Sequence, residues 1–267
     1  MKKLKRLLAG LLISVVALGI IWYCSTFTFT VNRVEIESEK IKSPVKILQI
    51  SDLHGAVFGK KNRRLINKIF ALFPDVIIAT GDMYTAGDEA GRQQAVALLG
   101  ALAEAYPTYY VTGEHDNSKT FHDQLSEAGV QVLDYTTKEL DIGGNPITLY
   151  GISNVYYSPT FDLYNEFSPD RERFNVLAAH ICNPRPFAAF SADLTLCGDT
   201  HGGQIRLPKL GAVYSDGLWL PERYAGVYMK GLYPLGEGQL FVSSGLGNRP
   251  YPIRLFNRPE IAFIVIS

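Results

Sequence analysis

The chain has 267 residues, with 26 basic and 26 acidic side chains and no net charge. That length suits one large domain with its own core and is short for two, and a monomer is expected. The balanced charge supplies no basic stripe to neutralise a phosphate backbone, which excludes nucleic acid as an expected partner.

The first expected element is a membrane span. Lys2, Lys3, Lys5 and Arg6 form a basic tail over residues 1–6, and from Leu7 to Cys24 only Ser14 is clearly polar. The eighteen residues of that run, at helical rise, cover roughly 27 Å, within the range that crosses a bilayer. A cleaved leader would end on small residues, whereas Trp22 and Tyr23 are bulky rings suited to a membrane interface, so an uncleaved signal anchor over 7–24 is expected. Four cations before the span, and none after it until Arg33, put the N-terminus in the cytoplasm and the domain on the extracytoplasmic side of a single-pass membrane protein.

Residues 25–44 are expected to hold a connecting strand and a short linker. Apolar and polar residues alternate through Phe27, Phe29 and Val31 and, after a phase change, through Val34 and Ile36. No long Pro-, Gly- or Ser-rich tether follows, so the main domain, 45–267, should stay near the bilayer surface.

Five short apolar runs then end abruptly in residues able to bind metal. Ile47–Ile50 leads into Asp52 and His54, Val76–Ala79 into Gly81-Asp82, and Tyr109–Val111 into Gly113-Glu114-His115-Asp116. Val176–Ala179 leads into His180, and Leu194–Cys197 into Gly198-Asp199-Thr200-His201. Such runs read as buried strands, whose carboxyl ends gather ligands in α/β sheets. Amphipathic helices are expected over roughly 61–73, 89–106 and 121–128, while the Gly-, Pro- and Tyr-rich second half reads as mostly β. The architecture implied is a layered α/β sandwich with a site at one end of the sheets.

Asp52, His54, Asp82 and His201 together make a mixed nitrogen and oxygen donor set suited to Zn, Fe or Mn, with small glycines beside His201 to let the backbone approach. Other features have plainer readings. His122 reads as a solvated helix residue, and Cys182 and Cys197 as free thiols. Tyr156, Tyr157, Tyr224, Tyr228 and Tyr233 are core or groove-lining tyrosines, and Arg249 and Arg254 are either phosphate contacts or structural ion-pair partners.

In order and together, these motifs resemble the calcineurin-like metallophosphoesterases, whose pattern is DxH, GD, GNH followed by D or E, a separate H, and GHxH. The resemblance covers roughly residues 46–267. His201 to Gln204, Ser244 to Gly247, Pro252 to Arg254 and Pro259 to Ile261 are further similar to the membrane-associated subgroup of that family. It implies an αββα sandwich of two mixed sheets flanked by helices, and one or two divalent metal ions. By the same resemblance Asp52, His54, Asp82 and His201 hold the first metal, and Asp82 bridges to a second held also by His180. A metal-activated hydroxide attacks phosphorus, His115 stabilises or protonates the leaving oxygen, and Asp116 orients its ring.

Two residues depart from the pattern. Glu114 stands where the family has Asn, and Asp199 where it has the first His of GHxH. Both are good oxygen ligands, so a re-specified second site of Asp82, Glu114, His180 and Asp199 is expected, harder than usual and favouring Mn, Mg, Fe or Ca over Zn. The function expected is hydrolysis of a phosphoester or phosphoanhydride, with a lipid-linked or wall-linked phosphate suggested by the anchor. Four carboxylates would balance two divalent cations, which disfavours dianionic monoesters and favours diesters or a higher pH optimum. The alternative is a degenerate member that binds a phosphorylated ligand or partner without turnover.

Overall fold

The computed structural model describes residues 2–153, 162–215, 217–249 and 251–267. Helix α1 runs over Lys2–Phe27 and is long and apolar enough to cross a membrane. Its side chains from Lys2 to Cys24 are exposed except for half-buried Ile21, whereas Ser25 and Thr26 are buried. From Lys2 to Ile20 the helix therefore has none of the described residues packed against its apolar surface.

The first half of the chain alternates strand and helix: β1 (Thr30–Ile36), β2 (Val45–Ile50), α2 (Arg63–Phe70), β3 (Val76–Thr80), α3 (Glu89–Ala103), β4 (Thr108–Val111), α4 (Lys119–Glu127) and β5 (Gln131–Leu133). Next come β6 (Thr136–Ile142), β7 (Asn145–Gly151), β8 (Phe174–Ala178), α5 (Pro184–Phe190) and β9 (Leu194–Cys197). Two small ribbons follow, β10 (Arg206–Leu207) with β11 (Gly211–Ala212) and β12 (Tyr214–Ser215) with β13 (Leu218–Trp219). The chain ends with β14 (Gly231–Leu235), β15 (Gly238–Val242) and β16 (Glu260–Ile266). The Ala- and Leu-rich α3 begins where the Asp88 side chain accepts the Gly91 N–H at 2.9 Å, and it stops short of Pro107.

Two six-stranded sheets form, ordered β1-β16-β2-β3-β4-β5 and β14-β15-β9-β8-β7-β6. Both are mixed. In the first, β2 to β5 run parallel, β16 is antiparallel to β2, and β1 lies on the edge parallel to β16. In the second, β15, β9, β8 and β7 are parallel, with β14 and β6 antiparallel at the edges.

The central strands are apolar on both faces, and alternate residues serve different cores. Ile47, Val76 and Ile78 face Ile147, Val176, Leu194 and Phe241 of the other sheet, while Leu48, Ile50, Ile77 and Ala79 face Leu65, Ile69, Leu98, Leu102 and Phe121 of the helices. Phe187 and Phe190 of α5 cover the far side of the second sheet with Tyr150, Leu177 and Leu240. The order is helices, sheet, sheet, helix, with the carboxyl ends of β2, β3, β4, β8 and β9 brought to one end. Helix α5 was not expected; seven residues opening on Pro184 are too short to show a helical period.

Candidate metal centre

Three of the chemistry-bearing loops, after β2, β3 and β9, leave their strands through an unusual backbone turn. Asp52 (φ 51°), His54 (φ 46°), Asp82 (φ 56°), Asp199 (φ 72°) and His201 (φ 48°) all occupy the left-handed region that side chains seldom adopt. Such conformations cost on the order of 1–3 kcal/mol each and persist only where the surroundings impose them. Here the loops impose them on one another: Asp52 N–H donates to Gly81 O (3.0 Å), His54 N–H to Asp82 O (3.0 Å) and Gly55 N–H to Met83 O (3.1 Å). Close approach also demands glycine. A Cβ on Gly113 would collide with Asp82, and one on Gly198 with Ser51 and Asp52.

Asp82 is the hub. Its Oδ1 accepts the His115 N–H at 2.9 Å, while Oδ2 lies 3.4 Å from His180 Nε2, 3.5 Å from His54 Nε2 and 3.9 Å from His115 Nε2. Asp52, fully buried, accepts the Asp199 N–H at 3.0 and 3.2 Å and sits 3.9 Å from His201 Nε2. The histidines are aimed by their other nitrogens. His180 Nδ1 donates to Thr80 O at 2.7 Å and His54 Nδ1 pairs with Thr85 Oγ1 at 3.1 Å, which leaves each Nε2 for the site. The His54 and His201 Nε2 atoms face each other at 3.2 Å, so a shared proton or a bound cation would relieve the opposition of their lone pairs.

Charge in this pocket is poorly balanced by protein alone. Burial lifts the Asp52 carboxyl to about 7, opposed by His180 and reinforced by Asp82. Burial also works against Asp82, but its hydrogen bond and charge contact with His180 outweigh it and hold that carboxyl below the usual range. His180 is pushed well up because the Asp82, Asp52 and Asp199 carboxylates overcome its burial. Burial lowers His54 to about 4 and, with Arg254 nearby, holds His201 well below its ordinary range, so both rings are neutral. Buried carboxylates beside neutral imidazoles form a donor set that fits a divalent cation. Ligand atoms within 4.8 Å of one another fall into three groups: Asp52, His54 and His201; Asp52, Asp82 and His180; and Asp82, Glu114 and His115.

The sequence-predicted residues therefore meet, with two changes of role. Asp116 does not orient the His115 ring. It is buried, and its two oxygens are taken by the Gly113 N–H (2.8 Å) and the Met83 N–H (2.6 Å), tying the β4 loop to the β3 loop. The group on the His115 ring is Glu114, with Oε1 3.0 Å from Nε2. Glu114 thus sits with Asp82 and His115, and among the described residues the carboxylate grouped with Asp82 and His180 is Asp52. Asp199 Oδ1 lies 3.8 Å from His180 Nε2. His122 is also not a solvated residue: it is half-buried, with Nε2 3.1 Å from Thr112 Oγ1. Cys182 and Cys197 are free thiols. Tyr156 and Tyr157 lie outside the described residues.

A cavity of about 260 Å3 opens beside this cluster, bordered by Asp199, His201, Gln204, Tyr214 and Arg249. Of the two candidate arginines, Arg254 is fully buried and acts as a brace. Its Nη2 donates to Gly247 O (2.6 Å) and faces His201 Nδ1 (3.3 Å), and its Nε donates to Asn248 Oδ1 (3.1 Å). The backbone of Arg254 meets the end of α1: its N–H donates to Thr26 Oγ1 (3.2 Å), and that hydroxyl donates to Arg254 O (3.3 Å). Asn248 Nδ2 donates to Thr26 O (3.1 Å) and Trp22 Nε1 to Pro252 O (3.1 Å). Sequence reasoning missed Thr85, Thr80 O and Thr26 as supports, since each acts from a loop or helix end that carries no periodic or motif signal.

Comparison with known proteins identifies the family. The family model for calcineurin-like phosphoesterases matches residues 45–203. The chain is 29% identical over 266 residues to phosphodiesterase YaeI of Escherichia coli strain K12, covering 92% of this chain and 91% of that one. It is 27% identical over 258 residues to the metallophosphoesterase YkuE of Bacillus subtilis strain 168, covering 88% of this chain and 86% of the relative. A Bos taurus transmembrane protein with a metallophosphoesterase domain is 28% identical over 269 residues, covering 89% of this chain and 57% of the relative.

Proposed function

This chain belongs to the calcineurin-like phosphoesterase family, and from that premise we propose that it hydrolyses phosphodiesters with divalent metal ions held by Asp52, His54, Asp82, His180, Asp199 and His201. The observation that carries the reading is Asp82, one buried carboxylate whose Oδ2 faces three imidazole Nε2 atoms within 3.9 Å. When bound, the cations would supply Lewis acidity toward the phosphate and lower the pKa of an attacking water.

The chain's own residues supply the rest. His115, with its backbone pinned to Asp82 Oδ1 and its ring partly exposed, holds a proton at Nε2 for the leaving alkoxide. Glu114 Oε1 at 3.0 Å keeps that nitrogen aimed. Thr80 O and Thr85 fix the rings of His180 and His54, so that the site is organised before substrate arrives. Asp52, Asp82, Asp199 and Glu114 bring four carboxylates near the centre, enough to cancel two divalent ions, which disfavours the doubly charged monoesters. The oxygen-rich donor set favours Mn, Fe or Mg over Zn in the second position. That one relative is a phosphodiesterase supports the same choice.

We place the substrate at the membrane surface. Helix α1 suits a bilayer, its basic tail favours a cytoplasmic N-terminus, and its last turn is hydrogen-bonded to the loop that braces His201. A lipid-linked or wall-linked phosphodiester on the extracytoplasmic face fits this arrangement.

Metal content and turnover of the full chain in detergent test the reading. The expected result is one or two Mn, Fe or Mg ions per chain and hydrolysis of bis-p-nitrophenyl phosphate faster than of p-nitrophenyl phosphate. Bound metal without hydrolysis of any ester would favour the ligand-binding alternative, and fastest turnover of the monoester at neutral pH would refute the diester preference.

A further inference from the structure

We propose that Arg249 is the substrate-binding cation of this protein, taking the single negative charge of a phosphodiester in the cavity beside His201. The proposal deepens the phosphoesterase reading above and rests on it.

Among the described residues, three cationic side chains near this end of the sandwich are satisfied by protein groups. Arg206 pairs with Glu222 at 2.8 Å and Lys230 with Glu260 at 2.8 Å. Arg254 is fully buried and spends its guanidinium on Gly247 O and Asn248 Oδ1. Arg249 is different. It borders the cavity together with Asp199 and His201, and among the described residues no carboxylate lies within ion-pair distance of it. Its Nη1 is out of solvent and, among the described residues, has no hydrogen-bond acceptor. A guanidinium nitrogen left without an acceptor away from water costs free energy, and an incoming oxyanion recovers it. The backbone is held in place for the purpose, since the Gln204 side-chain amide donates to Arg249 O.

Charge fixes the ligand class. If the four carboxylates near the centre cancel two divalent ions, Arg249 is, among the described residues, the lysine or arginine that borders the cavity. One positive charge complements a diester, which carries one negative charge, better than a monoester dianion. The guanidinium fork also matches paired phosphate oxygens. Across the cavity, Tyr214 is 50% exposed and packs against Trp219 with ring centroids 5.2 Å apart, giving the second ester group a firm aromatic surface.

The test uses the full chain in detergent, loaded with Mn. In Arg249→Ala, KM for bis-p-nitrophenyl phosphate should rise about tenfold or more, with kcat and metal content little changed, because a charge-assisted contact has been lost. Arg249→Lys should recover part of that loss. Calorimetric binding of dimethyl phosphate should weaken by a similar factor in Arg249→Ala, while inorganic phosphate binding changes less. Unchanged KM and unchanged dimethyl phosphate binding would overturn the proposal, as would loss of metal in the variant. If the wild type turns over no ester but binds dimethyl phosphate through Arg249, the hydrolase reading fails while this assignment stands.

Discussion

Asp116 and Glu114 are two residues apart in one loop but serve different ends, and substitution should separate them. Asp116→Asn puts an amide hydrogen-bond donor against the Gly113 or Met83 N–H, so it should cost on the order of 1–3 kcal/mol of stability, read by urea unfolding, and leave the turnover of folded protein nearly intact. Glu114→Gln should leave the unfolding midpoint in place and lower kcat about 100-fold on esters with poor leaving groups, with a smaller effect on nitrophenyl esters. Asp116 also gives a pH signature. Burial first, and then Asp82, raise its carboxyl from 3.8 to about 6 in the folded chain. The fold thus binds that proton more tightly than the unfolded chain does. This contribution is full below about pH 4 and is lost as pH rises through 6. Relative to the parent, metal-free Asp116→Asn should accordingly gain stability as pH rises over that window, because this one contribution is gone.

At the scale of elements, the site is a meeting of five strand ends, and one of its tight points is the contact of the β4 loop with the β3 loop. Gly113→Ala would drive a methyl into Asp82, so a loss of about 1–3 kcal/mol and a fall in bound metal are expected, measured by thermal melting and elemental analysis. The five strands were legible because Ile47–Ile50, Val76–Ala79 and their counterparts are buried on both faces and carry β-branched runs bounded by glycine and ligand residues. The two-residue ribbons β10 to β13 have no such period, and they supply Tyr214 at the cavity's edge. Motif order placed Asp116 beside His115 in the chain, but which oxygen meets which hydrogen depends on the turn between them. That is why Glu114 took the role expected of its neighbour.

For the molecule as a whole, α1 belongs to the folded structure as much as to any membrane. Thr26 is fully buried and bonds both backbone groups of Arg254, while β1 completes the first sheet against the C-terminal strand. Thr26→Val in the full chain should lower the melting midpoint by about 2–4 °C, as the loss of roughly 1 kcal/mol implies for a domain of this size, and should weaken metal retention during dialysis. A cut just after Phe27 would therefore do more than set the rest of the chain adrift. It would also take away the hydroxyl that anchors the backbone of Arg254, whose guanidinium faces His201, so a form shed from the lipid should hold its ion less firmly.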